Sequence, residues 1–172
     1  MSPEDAARYS EHWKELGIGS DKTWNEFIKN YPGASVDDYF TLIKDQSPWP
    51  INYNPENIQM SSGYQFEIAL ANGQPAQSPG RFATTPNTIK DVDYVRTELA
   101  VKPEWKPSID RVAVYEVKDG VNIQGLKGPV GPQIVLQNDL YLPGGADQVQ
   151  ILLDRNINMM DYLTIKDVRA ID

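Results

Sequence analysis

Tyr64-Gln65-Phe66-Glu67-Ile68-Ala69-Leu70, followed at once by Asn72-Gly73, is the stretch on which the reading of the fold turns. Apolar and polar residues alternate with the period of a half-buried strand, and Asn-Gly is a strong signal for the tight turn that ends one. Arg111-Val112-Ala113-Val114-Tyr115-Glu116-Val117 predicts a second strand, closed by Lys118-Asp119-Gly120. Val121-Asn122-Ile123-Gln124 and Gln133-Ile134-Val135-Leu136 follow, separated by the rigid Gly128-Pro129-Val130-Gly131-Pro132. Gln148-Val149-Gln150-Ile151-Leu152-Leu153 is another strand, and the tail from Met159-Met160 through Tyr162-Leu163-Thr164-Ile165 to Val168 predicts a helical turn and a closing strand. Strands at this spacing with glycine-proline connections make a small mixed or antiparallel sheet.

Upstream of this block the pattern is helical. Ser2-Pro3-Glu4-Asp5 combines a capping hydroxyl, proline at the first helical position and acids at the positive end of the dipole. That helix is expected to reach Leu16 and to end at Gly17 and Gly19. Thr23-Trp24-Asn25-Glu26 predicts a second helix by its capping box, stopped by Pro32-Gly33. Ser35-Val36-Asp37-Asp38 opens a third, with Val36, Tyr39, Phe40 and Ile43 as its apolar stripe, and Ser47-Pro48-Trp49-Pro50 turns the chain into an extended linker. The expected class is therefore α+β: a helical segment over 1–50, then a β-rich domain over 51–172.

Composition narrows the chemistry. A chain of 172 residues buries roughly 70% of the surface its unfolded form exposes, so it needs no staples. It has no cysteine, which excludes disulfides, a thiolate nucleophile and cysteine-held metals. Its one histidine, His12, sits among Glu11, Lys14 and Glu15 and reads as a surface residue, so histidine-dependent catalysis is not expected. No metal is expected. A net charge of −8 disfavours nucleic acid as a partner, since phosphate contacts supply most such affinity. No run approaches the ~18 apolar residues of a membrane-spanning helix, and no basic region precedes an apolar one as in a signal peptide.

Three local features carry candidate chemistry. In Ser78-Pro79-Gly80-Arg81-Phe82-Ala83-Thr84-Thr85-Pro86 an arginine, an aromatic ring and free hydroxyls are held between prolines, a composition suited to gripping a phosphate and stacking a base. Tyr94-Val95-Arg96-Thr97-Glu98-Leu99-Ala100 places Arg96 in a half-apolar segment, where it serves a ligand or pairs with Glu98 or Asp93. In Tyr141-Leu142-Pro143-Gly144-Gly145-Ala146-Asp147-Gln148, Gly144 and Gly145 permit unusual backbone angles and deliver Asp147 and Gln148 to the mouth of a strand. Each of the three also fits an ordinary loop or turn.

In this order the features resemble the NAD-hydrolysing toxin domains typified by the tuberculosis necrotizing toxin, over residues 63–172. The matching segments are Gly80-Arg81-Phe82 leading to Pro86, Arg96-Thr97-Glu98-Leu99, the connection from Gly128 to Pro132, and Gly144-Gly145-Ala146-Asp147-Gln148. The family has a further glycine where Ala146 stands and a tyrosine where Phe82 stands. The stretch from Thr23 to Pro50 is similar to the spacer before toxin domains in contact-dependent or Rhs-type effectors. The resemblance implies hydrolysis of NAD, or also NADP, to nicotinamide and ADP-ribose, with NAD as substrate and no cofactor. It implies Gln148, Arg96 and Asp147 as catalytic residues. Arg81, Phe82, Thr84, Gly144 and Gly145 would bind substrate, with Arg81 and Arg96 clamping the diphosphate. It also implies delivery within a larger effector, action in the target-cell cytoplasm, a cognate immunity protein and no stable membrane association. Three other readings stay open: an ADP-ribosyltransferase with Glu98 or Glu116 as its carboxylate, a ribonuclease toxin, and a non-catalytic binding or immunity protein.

Overall fold

Two sheets joined edge to edge at one pair of residues, Glu67 and Thr84, organise the molecule. The computed structural model describes residues 19–172. The helix expected from Ser2 to Leu16, with His12 on it, lies outside the described residues.

Nine strands and three α-helices are present among the described residues. The strands are β1 (Glu56–Met60), β2 (Gln65–Leu70), β3 (Phe82–Ala83), β4 (Arg111–Val117), β5 (Ile123–Pro129), β6 (Gln133–Val135), β7 (Leu140–Leu142), β8 (Asp147–Ile151) and β9 (Leu163–Ala170). The helices are α1 (Asp21–Asn30), α2 (Val36–Asp45) and α3 (Val92–Thr97). One sheet runs β1-β5-β8-β3, a second β2-β4-β9, and β6-β7 is a separate hairpin; every pairing is antiparallel. The α+β class follows.

Strand period explains how the sheets close on each other. Phe66, Ile68 and Leu70 of β2 point into the main core beside Ala113, Tyr115 and Val117 of β4 and Val149 and Ile151 of β8. The Phe66 and Tyr115 rings, paired in register, stack with centroids 6.0 Å apart. The other face of β2 carries Glu67 and Ala69, and Ala69 packs into a smaller cluster with Ile89, Val95 and Val112. Backbone bonds of 2.9 and 3.0 Å tie Glu67 to Thr84 and so join the two sheets.

The helical part differs from expectation at one boundary. The second helix starts at Asp21, with Ser20 as its cap: the Ser20 hydroxyl accepts from the Thr23 amide at 3.2 Å. Thr23 is instead buried, in a 2.6 Å hydroxyl contact with Tyr39. The helix expected to open at Ser35 does so, and the structure closes it with a capping box: Asp38 accepts from the Ser35 amide and the Ser35 hydroxyl from the Asp38 amide. Trp24, Phe27, Tyr39 and Leu42 pack against Ile134 and Tyr141, so the helical pair rests on the β6–β7 hairpin. Burial there pushes the Tyr141 hydroxyl up to about 12.

A second difference concerns Gly128-Pro129. Instead of a connection outside the strands, these residues extend β5, pairing with Gln148 and Asp147 of β8. The proline takes the last position of the strand, where its missing donor costs least. No helix among the described residues is long and apolar enough to cross a membrane.

Candidate functional site

A cavity of about 480 Å³ opens where β2, β3 and β8 meet the loop after α3. Arg81, Phe82, Thr84 and Gln148 line it, as do Gln46 and Pro48 from the linker after α2.

Gln148 lies on β8, opposite Gly128. Successive strand residues face opposite sides, so Gln148 points inward and is nearly buried while Asp147 is exposed and does not line the cavity. The Gln148 Nε2 donates to the Pro48 carbonyl at 3.2 Å. The same carbonyl accepts the Gly131 amide at 2.8 Å. One carbonyl of the linker thus fixes the amide of Gln148 and leaves its Oε1 to accept from an occupant of the cavity. Gln133 beside it donates to the Ser47 carbonyl at 2.8 Å, while its own Oε1 is buried without a hydrogen-bond partner.

Phe82 holds its place on β3 by pairing with Gln150, yet remains 44% exposed. Trp105, at 50% exposure, lines the same cavity. An aromatic ring left half in water against a cavity offers a face for stacking. Arg81 donates to the carbonyls of Pro79, Leu153 and Asp154 at 3.0–3.1 Å. Partial burial and the neighbouring Arg155 charge lower its pKa, against a raising effect of Asp154. Thr84 ties β3 to β8 through a 2.7 Å bond to the Asp147 carbonyl.

Arg96 lies elsewhere. From the last turn of α3 it donates to the carbonyls of Val101 at 3.1 Å and Lys106 at 2.7 Å. It does not line the cavity; it holds the loop that does, carrying Val101, Trp105 and Lys106. Burial, and then the Arg96 charge, lower the pKa of Lys106, whose Nζ donates to the Ala69 carbonyl at 2.6 Å.

Gly144 and Gly145 are also outside the lining. Their φ angles of +69° and +105° lie where glycine is favoured, and a side chain on Gly144 would meet the Val130 carbonyl at 2.6 Å. Their amides donate to the carbonyls of Thr97 and Val130, and Ala146 donates to Glu98. The Gly-Gly element thereby stitches the Arg96–Leu99 segment to the 128–132 connection and aims β8.

Glu67, which alternation alone would place toward solvent, is fully buried and lines the cavity. Its Oε1 accepts the amides of Thr88 and Ile89, both at 2.9 Å, and its Oε2 lies 2.7 Å from Arg169. Desolvation raises its pKa, but Arg169 and the amides outweigh that and hold it below its usual value. The remaining charged groups of the lining are Arg81, Lys106 and Arg155, so a cavity in an acidic protein is itself basic. Glu98 and Glu116 do not line it. Among the described residues no three acidic or histidine side chains are placed to hold a metal ion.

No protein-family model matches the sequence, and no curated protein matches it. Solved structures do. A chain from the structure of Tne2 in complex with Tni2 superposes with a TM-score of 0.55 at 23% identity, over 72% of this chain and 97% of that one. Weaker likenesses are to Rhs1-CT in complex with its cognate immunity protein RhsI1 (TM-score 0.43, 18% identity, 67% and 80% covered) and to Tse6 in complex with Tsi6 (0.46, 16%, 85% and 93%). The first shows a shared fold spanning nearly the whole of that chain.

Proposed function

We propose that this chain is the toxin domain of a bacterial effector and hydrolyses NAD to nicotinamide and ADP-ribose. The observation that carries the reading is Gln148, its amide nitrogen bound to Pro48 and its oxygen uncommitted, in a basic cavity with two half-exposed aromatic rings. The resemblance in motif order and the fold shared with a chain of the Tne2–Tni2 complex support it.

The chemistry suits these residues. The bond from ribose C1′ to nicotinamide breaks with its electron pair passing to the ring nitrogen, which loses its positive charge, and a water oxygen bonds to C1′ and releases a proton to solvent. The leaving group departs neutral, so no general acid is needed. Such reactions pass through an oxocarbenium-like state. An amide oxygen at that position accepts from a ribose hydroxyl or the attacking water and favours the developing positive charge. Phe82 and Trp105 offer stacking faces for the two bases, and the arginines suit the diphosphate. Glu67 is held by the Arg169 charge and by two backbone amides on its Oε1, which disfavours its acting as the base for an acceptor, so hydrolysis is preferred to transfer.

Expression in the bacterial cytoplasm tests the proposal: growth arrest with a falling NAD pool is expected, and arrest at constant NAD would refute it. The chain is proposed to reach that cytoplasm within a larger effector and to be neutralised by a cognate immunity protein that covers the cavity.

The linker makes a separate prediction. A methyl group on Gly131 would lie 2.4 Å from the Trp49 carbonyl, so Gly131→Ala must push the linker off the strand end. The expected cost is about 1–3 kcal/mol of stability. Because Pro48 then no longer orients Gln148, turnover should fall roughly 10- to 100-fold, with kcat affected more than KM. Steady-state kinetics beside urea unfolding check both.

A further inference from the structure

The loop that leaves β8 has no assigned role, yet Arg81 organises it. Three carbonyls receive the Arg81 guanidinium, and two of them, Leu153 and Asp154, belong to this loop. The next residue, Arg155, is thereby placed in the lining of the cavity. Arg155 is solvent-exposed and has no hydrogen-bond or ion-pair partner among the described residues. Two guanidinium groups here face one nearby carboxylate, that of Asp154, whose Oδ1 is engaged by the Asn156 amide. Like charges side by side raise the energy of the unliganded protein, and an anion relieves it.

We propose that Arg155, with Arg81 behind it, forms an anion site that binds the phosphate groups of the cavity's ligand. The identification of that ligand as a dinucleotide rests on the function proposed above. Arg155 thus takes the role that the sequence resemblance implied for Arg96, which lies outside the cavity lining and donates to the loop from Val101 to Pro107. All the donors of Arg155 remain to meet phosphate oxygens, which a planar guanidinium does in pairs.

The test uses Arg155→Ala and Arg155→Lys, which are solvent-exposed changes that leave the loop's carbonyl contacts intact. For NAD hydrolysis, Arg155→Ala should raise KM about 10- to 100-fold, the size of one charge-assisted contact, with kcat changed less than about threefold. Arg155→Lys should recover part of the loss. Separately, calorimetric titration with ADP should show binding to the wild type and to Gln148→Ala that weakens about 10-fold or more in Arg155→Ala. Raising the salt concentration should weaken wild-type binding and affect Arg155→Ala less. If the wild type releases no nicotinamide but binds ADP through Arg155, the anion site stands and NAD hydrolysis falls. If ADP does not bind the wild type, or Arg155→Ala leaves both KM and ADP binding within about twofold, the anion site is wrong.

Discussion

Gln148→Ala should lower NAD turnover by about 100-fold or more while the protein keeps its fold. The estimate is that for loss of one oriented polar group at the reacting centre. The effect should appear in kcat, because the amide oxygen is proposed to act where positive charge develops, whereas affinity for the phosphates rests on arginines elsewhere in the cavity. Gln148→Glu separates two explanations. The glutamate lacks the donor that reaches the Pro48 carbonyl at 3.2 Å, so its carboxylate would face that oxygen unfavourably and lose its orientation. If orientation by the linker matters, the glutamate variant is nearly as impaired as alanine. If only negative potential at that point matters, it stays active. An alanine variant with wild-type kcat would remove Gln148 from the mechanism altogether.

The largest stability effect is expected at Glu67. This fully buried carboxylate, with Arg169 and the amides of Thr88 and Ile89, holds the crossing of β2 and the loop after β3. Arg169 in turn donates to the Ile89 carbonyl at 2.8 Å. Removing one partner of a buried pair strands the other, and Glu67→Ala should cost about 3 kcal/mol, the lower end of such cases because Arg169 is partly exposed. Urea unfolding at neutral pH measures it; a loss under about 1 kcal/mol would refute the role. The pH dependence has a definite sign. The folded state holds the Glu67 pKa below its ordinary value of 4.5, so the unfolded chain binds that proton more readily. The stabilisation is complete above pH 4.5 and is lost as pH falls through the folded value. Glu67→Gln should therefore unfold with a shallower acid limb than the wild type.

Most strands were legible because their side-chain period is local. β4 matches its expected span residue for residue, and β2 differs by one. β1, β3 and β7 were not: Phe82–Ala83 is a strand only because β8 lies beside it. α3 is six residues long, too short to show a helical period. In the site, Gln148, Arg81, Phe82 and Thr84 come together in one cavity. Arg96, Asp147, Gly144 and Gly145 shape its surroundings instead, since what a guanidinium bonds to and which way a glycine pair folds depend on distant carbonyls. Alternation assigns Glu67 to the polar half of a strand, and nothing local announces a partner 102 positions later at Arg169. Trp105 did leave a signal, an aromatic residue between Pro103 and Pro107 in an otherwise polar loop. Arg155 left none.

The activity proposed for the cavity is cleavage of the bond between nicotinamide and ribose. Mixing the purified wild-type protein with NAD and following free nicotinamide by chromatography tests it most directly. Nicotinamide and ADP-ribose are expected in equal amounts over many turnovers, without added metal or acceptor. NAD that remains intact, or nicotinamide released only when a macromolecular acceptor is supplied, would contradict it.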